Sequence, residues 1–320
     1  MILHPQIDSL LRAVGGLQDD GSDSAAAFRT RYQRWSAAMP VSATAVPVRF
    51  GDFSLGTRHG DRLVARMYMP EEQALPRPMV FFHGGHGLAG SVETHHELCL
   101  DLCHRLQVGL VCASMPALDG HGWPHLLECA RDVFLLIHGK RTELKLSDQP
   151  MWAGGDGTGA LLCWQAARQC ALDRSLAVQA ALLLYPYAKP DLGTPSHLVN
   201  VHAPALNRVT IGRAWSALLG PAWHAWRPDL IPFHAPLDSL ALVPSLVVAA
   251  QCDALHDDGL HLHDLIANNG GVALFRGVPH MPHDFARMGA ASEQVCSFMG
   301  QLCADFTAFA LAQPTVNIHK

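Results

Sequence analysis

Four short segments of this chain place residues able to do chemistry directly after apolar, strand-like runs. Residues 83–87 read His-Gly-Gly-His-Gly, and residues 155–159 read Gly-Asp-Gly-Thr-Gly. Further along come Asp253 and then His283, each after another apolar run. In an open α/β sheet the carboxyl ends of the strands lie along one edge, where ligands bind. We therefore expect the four segments to meet at a single site.

The residue types in these segments indicate acid–base and oxyanion chemistry. A histidine paired with a carboxylate can act as a general acid or base near neutral pH, and the last two segments offer Asp253 with His280 or His283. Backbone N–H groups in tight glycine turns can stabilise a developing oxyanion, and the glycine pair Gly84 and Gly85 offers such donors. Taken alone, either glycine-rich segment is also compatible with a simple turn that binds nothing.

Five more residues near these segments are candidates for lining a pocket: His83, His86, Asp156, Trp215 and His280. For Asp156 we expect a role in tying down the turn by hydrogen bonds rather than in acting on substrate. For Trp215, packing of a lid against the core is the alternative to lining an acyl or aromatic pocket.

Together these segments resemble the motifs of the hormone-sensitive-lipase type of carboxylesterase, a family with the α/β-hydrolase fold. Residues 83–85 resemble its HGGG oxyanion motif, and residues 155–159 resemble its GDSAG nucleophile elbow. Residues 253–258 are similar to its D-x-L-x-D-E acid loop, and residues 283–285 are similar to its H-G-F motif. The resemblance implies a Ser-His-Asp triad built on Asp253 and His283. It also implies an oxyanion hole made by the N–H groups of Gly84, Gly85 and Thr158. The position of the family's serine, however, is Gly157.

Glycine cannot supply the oxygen that attacks an ester carbonyl, so we expect ester hydrolysis to be very weak or absent. Thr158 is a poor substitute because an elbow turn exposes one side chain and not its neighbour. Two further departures favour natural divergence over an engineered loss of the serine. His86 replaces the third glycine of the oxyanion motif, and residues 115–118 read Met-Pro-Ala-Leu where the family has Y-R-L-A.

Three functions remain open on the sequence alone. The first is a carboxylesterase-lineage pocket that lacks only its nucleophile. The second is a lyase, dehydratase, isomerase or cyclase that uses His283 and Asp253 as a general base with the oxyanion donors. The third is a non-catalytic protein that binds a small molecule. In each case the expected ligand is a small molecule with a carbonyl or ester group.

Alternation of short strand-like and longer helix-like runs predicts an α/β fold with a mostly parallel sheet and helices on both faces. Predicted strands cover residues 46–55, 63–69, 79–82, 109–113, 151–153, 178–184, 246–250 and 272–275. Predicted helices cover residues 2–14, 25–35, 93–106, 125–138, 158–171, 259–268 and 290–311. We expect one domain over residues 1–320, with residues 1–45 and about 187–243 forming a helical lid over the pocket.

Composition sets the expected partners and compartment. The net charge of −5 comes from scattered residues, so neither nucleic acid nor a membrane surface is an expected partner. The chain has nine cysteines, several of them within apolar helix or strand patterns, which indicates reduced thiols and a cytoplasmic protein. A homodimer is plausible for such a fold by analogy. No standard metal motif is present, so we expect no metal or cofactor. The one exception would be a site made by His83, His86 and His283.

Overall fold

A single sheet organises the molecule. The computed structural model describes residues 2–17, 24–42, 46–116, 122–225 and 242–314. Within these ranges the strands form one eight-stranded sheet in the order β1-β2-β4-β3-β5-β6-β7-β8. The strand bounds are β1 Val48–Gly56, β2 Arg62–Pro70, β3 Arg77–Phe82, β4 Val108–Ala113, β5 Trp152–Asp156, β6 Ala180–Leu184, β7 Ser245–Ala250 and β8 Ala273–Val278.

The sheet is antiparallel at one edge and parallel elsewhere. Strand β2 pairs antiparallel with both β1 and β4, which makes the entry hairpin expected from the sequence. All pairings from β4 through β3 and β5 to β8 are parallel. Strands β4 to β7 are buried along their whole length. Burial on both faces explains why these runs are continuously apolar.

Helices cover both faces of the sheet and alternate strand residues point to each. Val80 and Phe82 of β3 belong to one apolar core and Met79 and Phe81 to the other. The helices are α1 Pro5–Val14, α2 Ala25–Ala37, α3 His96–Leu106, α4 Trp123–Gly139, α5 Thr158–Leu172, α6 Pro195–Val199, α7 Arg208–Leu219, α8 His256–Asn268 and α9 Glu293–Leu311. Buried residues of α4, α5, α7 and α8 join the first core, and those of α1, α2, α3 and α9 join the second.

The predicted α/β architecture is confirmed, and its errors are shifted element boundaries and two missed helices. Helix α3 starts three residues later than predicted, after a turn in which the Ser91 N–H donates to Thr94 Oγ1. Helix α9 starts at Glu293, because the Ser292 side chain caps it by accepting from the Val295 N–H. The loosely patterned insertion between β6 and β7 contains α6 and α7, which periodicity did not predict.

The assignment of residues 1–45 and 187–243 as a lid stays a prediction. Parts of both segments, including Trp226, lie outside the described residues. Within the described ranges, no helix combines the length and the apolar character that a membrane-spanning segment requires.

Candidate active site

The turn between β5 and α5 holds Gly157 in a conformation that favours glycine. Its backbone has φ 53° and ψ −122°, a region that other residues occupy only with strain. Glycine is also required two residues before and two residues after it, because nearby backbone atoms leave no room for a side chain at either position. A Cβ on Gly159 would lie 2.1 Å from the Phe82 carbonyl oxygen, and one on Gly155 would lie 2.5 Å from the Gly159 carbonyl oxygen. The glycine spacing of residues 155–159 therefore specifies a tight strand-to-helix turn.

Gly157 faces the predicted general base. A Cβ built on Gly157 would lie 3.6 Å from His283 Nε2 and 3.8 Å from the Gly84 Cα. Both are ordinary van der Waals distances. A side chain at this position would therefore fit without a clash and would point at the imidazole.

The acid and the histidine meet as the sequence predicts. Asp253 follows β7, and His283 lies in the loop after β8. The His283 Nδ1 atom is 2.7 Å from Asp253 Oδ2, and Asp253 Oδ1 accepts a hydrogen bond of 2.9 Å from the Leu255 N–H. Both side chains are buried. An Nδ1–H donated to the carboxylate fixes the imidazole tautomer and leaves Nε2 directed at Gly157.

The electrostatic surroundings of His283 favour its protonated form. Burial lowers the pKa of His283, but the carboxylates of Asp253 and Asp284 raise it by more, so this pKa lies above its ordinary value. A histidine in such a setting can accept a proton and hold it.

One predicted oxyanion donor is wrong. The Gly84 N–H donates to Asp156 Oδ1 at 2.8 Å, so it is already used within the protein. The sequence could not show this, because successive N–H groups of one loop point in different directions. The N–H groups of Gly85 and Thr158 make no hydrogen bond to any residue in the described ranges. Gly85 and Thr158 therefore remain the predicted oxyanion donors. The His86 N–H also makes no hydrogen bond to the described residues.

Asp156 ties the elbow to the oxyanion loop. Besides Gly84, its carboxylate contacts His95, with 3.2 Å between His95 Nε2 and Asp156 Oδ2. Burial raises the pKa of Asp156, but His95, Arg287 and the Gly84 N–H together hold it below its ordinary value. An ionised carboxylate that joins two loops fits the bracing role expected from the sequence. The part played by His95 was missed, because its only sequence signal was the pair it forms with His96.

Two residues that depart from the esterase motifs also lie beside His283. His86 has φ 60° and is buried, with Nδ1 3.0 Å from the Tyr187 hydroxyl. Burial and the nearby His283 lower the pKa of His86 to about 3, so its ring is neutral. Asp284 has φ 61° and places Oδ1 3.7 Å from His283 Nε2.

Arg287 is a buried cation behind Asp284 that sequence reasoning missed. Its guanidinium lies 3.2 Å from Asp284 Oδ2 and donates to the Tyr32 hydroxyl at 2.8 Å. Its position three residues after Asp284, within an apolar stretch, was the available signal, since buried arginines are normally paired.

Three other pocket candidates have different surroundings. His83 is buried, with Nδ1 2.7 Å from the Gly84 carbonyl oxygen and its ring stacked on His95. Trp215 is fully buried in the core, where its ring packs edge-on against Tyr187, so packing and not pocket lining describes it. His280 was wrongly placed in the pocket: its side chain is exposed, and Nδ1 lies 3.0 Å from the carbonyl oxygen of Ile2.

A small cavity opens beside the elbow. It has a volume of about 130 Å³, and its lining in the described residues includes Gly84, Thr158, Met115 and Trp123. A larger cavity of about 550 Å³ lies between α2 and α3 and reaches the site only through Arg287. Of these two cavities, the smaller one is lined by residues of both glycine loops.

Fold and site together define the class of protein. A family model described as the alpha/beta hydrolase fold matches residues 79–287. The chain therefore belongs to the α/β-hydrolase-fold family, and within it to the carboxylesterase-like lineage that the sequence motifs resemble.

Individual relatives are esterases. The chain is 26% identical over 263 residues to an ethyl acetate hydrolase of Pseudomonas putida, covering 81% of this chain and 82% of that protein. It is 25% identical over 225 residues to the carboxylesterase NlhH of Mycobacterium tuberculosis, covering 69% and 70% of the two chains. A crystal form of the Pyrobaculum calidifontis esterase superposes with a TM-score of 0.81 at 23% identity, covering 97% of this chain and 100% of that one.

Proposed function

We propose that this protein is an esterase-lineage α/β hydrolase that has lost the acyl-enzyme route, so that its ester hydrolysis is very weak or absent. The observation that carries this proposal is the position of Gly157. A side chain there would lie 3.6 Å from His283 Nε2, where a nucleophilic hydroxyl would need its base. Glycine supplies no oxygen to attack the carbonyl, and no acyl-enzyme can form on it.

The remaining groups support binding of a carbonyl-containing small molecule. His283 and Asp253 keep the hydrogen bond that the esterase reaction uses. The Gly85 and Thr158 N–H groups make no hydrogen bond to the described residues, so they are the donors we expect for a carbonyl oxygen. The ligand that this set favours is an ester or another carbonyl compound.

An ester-hydrolysis assay on matched variants tests the proposal. Short-chain p-nitrophenyl esters are offered to the parent protein, Gly157→Ser and Gly157→Ala, in a chelator that removes metal ions. We expect Gly157→Ser to gain on the order of 10³- to 10⁵-fold over the parent, because a serine restores the triad. Gly157→Ala carries the same backbone strain without the hydroxyl and is expected to match the parent. A parent as fast as a folded Gly157→Ser would contradict the proposal.

A second candidate is proton transfer next to a carbonyl. The observation that favours it is the intact hydrogen bond between His283 and Asp253. Because Gly157 has no hydroxyl, His283 Nε2 is available to take a proton from a bound ligand instead. Such a base predicts exchange of deuterium from D₂O into the α-carbon of simple ketones, followed by NMR. The exchange should be lost in His283→Ala. Exchange no faster than in buffer would eliminate this candidate and favour a protein that only binds its ligand.

A further inference from the structure

Three departures from the esterase motifs converge on one point in this molecule. Gly157 removes a side chain beside His283, while His86 and Asp284 replace glycines of the oxyanion and histidine motifs. One ligand atom from each of His86, His283 and Asp284 lies within 4.8 Å of the other two. All three residues are buried. We propose that His86, His283 and Asp284 bind a divalent transition-metal ion, with zinc as the ion to test.

The ligand set is one that such ions use. Two imidazoles and one carboxylate hold zinc in catalytic sites and iron(II) in oxygenases, each with positions left for water or substrate. Softer sulfur ligands are absent from the cluster, and an all-oxygen set suited to magnesium or calcium is absent as well. The chemistry of the three side chains therefore favours a transition-metal ion.

The outer hydrogen bonds orient both histidines for this role. A metal-binding histidine usually donates its second ring N–H to a carboxylate or another oxygen. His283 has Asp253 Oδ2 at 2.7 Å from Nδ1, and His86 has the Tyr187 hydroxyl at 3.0 Å from Nδ1. In both rings this leaves Nε2 for the ion.

An unpaired buried nitrogen is the independent observation that indicates a ligand. His86 Nε2 is buried and makes no hydrogen bond among the described residues. A buried polar atom without a partner is costly, and such atoms in folded proteins normally contact a protein group, water or an ion. A metal ion shared with His283 and Asp284 satisfies this nitrogen.

The net charge around the cluster favours binding of a cation. Three buried carboxylates, those of Asp156, Asp253 and Asp284, surround the histidines. Arg287 is the buried guanidinium that offsets them in part, and its contact is with Asp284 Oδ2, which leaves Oδ1 on the His283 side. Metal binding displaces any proton from His283 into solvent, and the dication then compensates the remaining negative charge.

Binding requires a modest contraction of the cluster. Zinc bonds of about 2.0–2.2 Å in a tetrahedral site place ligand atoms roughly 3.3–3.6 Å apart. The separation of 3.7 Å between His283 Nε2 and Asp284 Oδ1 is already near that range. The other ligand atoms lie within 4.8 Å of one another, so they must approach by up to roughly 1 Å to reach that range.

A second group of metal-binding residue types provides a matched control. Asp61, His125 and Cys129 also place ligand atoms within 4.8 Å of one another. In this group, however, the atoms contact each other: Cys129 Sγ donates to Asp61 Oδ2 at 3.4 Å, and His125 Nε2 lies 3.2 Å from the same oxygen. Unlike His86 Nε2, the nitrogen atoms of this group are not buried without a hydrogen-bond partner. We therefore propose no metal site there.

Zinc titration of the full-length protein tests the site. Chelator-stripped protein is titrated with zinc by calorimetry, beside His86→Gln, Asp284→Asn and the control Cys129→Ser. We expect one zinc per chain in the parent and in Cys129→Ser. In His86→Gln and Asp284→Asn the affinity should fall by more than about 10-fold. The proposal is overturned if the parent binds no zinc, or if Cys129→Ser loses binding while His86→Gln keeps it.

A measurement on the parent alone guards against variants that do not fold. Cobalt(II) replaces zinc, and its visible spectrum reports the ligands. The expected spectrum is that of four or five nitrogen and oxygen ligands, without an intense thiolate charge-transfer band in the near ultraviolet. A thiolate band would place the ion at a cysteine instead of at His86, His283 and Asp284, and would refute the proposal. Neither experiment measures ester hydrolysis, so failure here leaves the proposed loss of the nucleophile untouched.

Discussion

The elbow between β5 and α5 and the loop after β8 face the same point, yet they differ from the esterase pattern in opposite ways. The elbow has the tight strand-to-helix turn that the motif predicts but no side chain at its centre, because Gly157 stands where a serine is expected. The loop after β8 has the expected histidine and an added carboxylate, Asp284. Different residues thus specify the shape of the site and its chemistry. The turn is maintained by Gly155, Gly159 and Asp156, none of which depends on a hydroxyl at Gly157.

The largest expected effect tests whether the histidine region is still equipped for catalysis. In a Gly157→Ser background, Asp253→Asn should lower the gained kcat by on the order of 10³- to 10⁴-fold, because the amide no longer fixes the imidazole tautomer or stabilises its cation. Steady-state ester hydrolysis measures this effect. Asp264→Asn, an exposed aspartate on α8, is the control and should leave kcat unchanged. A drop below 10-fold for Asp253→Asn would show that this region no longer assists a nucleophile.

A smaller effect tests the bracing of the elbow. Asp156→Ala should lower the free energy of unfolding by about 3–5 kcal/mol, because it leaves His95 and the Gly84 N–H without their buried partner. Urea denaturation measures the change. Asp148→Ala is the control, since that side chain is 93% exposed, and it should change stability by no more than about 0.5 kcal/mol. A loss under 1 kcal/mol for Asp156→Ala would mean that the glycines alone hold the turn.

The smallest effect concerns the backbone of Gly157 itself. Gly157→Ala should lower the free energy of unfolding by about 1–3 kcal/mol through strain at positive φ, since the added Cβ meets no clash. Gly51→Ala is the matched control, because Gly51 lies in β1 with a negative φ and open space around its Cβ. Thermal or urea unfolding compares the two. Equal stability of both variants would argue against strain at the elbow.

Much of the fold could be predicted because each element had a local signal. The buried parallel strands are apolar on both faces, and the helices α3, α4 and α8 carry a periodic apolar face. Boundaries were less certain because caps decide them, as Ser292 does for α9. Helices α6 and α7 were missed, since the Pro-, His- and Trp-containing insertion shows no regular period.

The same distinction holds for the site, where motifs predicted the residues but not their backbone and long-range contacts. His283, Asp253 and Gly157 could be placed from motifs, and the structure brings them together. The use of the Gly84 N–H by Asp156 could not be foreseen, because it depends on the direction of one peptide group. Arg287 was missed for a related reason: its partners lie on α2 and in the turn before α3, far away in the sequence.

The most direct test of the central claim is the intact mass of the protein after treatment with a serine-directed fluorophosphonate. The account predicts no added mass on the parent and one adduct per chain on Gly157→Ser, with the adduct abolished in Gly157→Ser combined with His283→Ala. Stoichiometric labelling of the parent would contradict the account, because it would reveal a working nucleophile other than residue 157. A folded Gly157→Ser that takes no label would equally contradict it, since the pocket would then lack more than its serine.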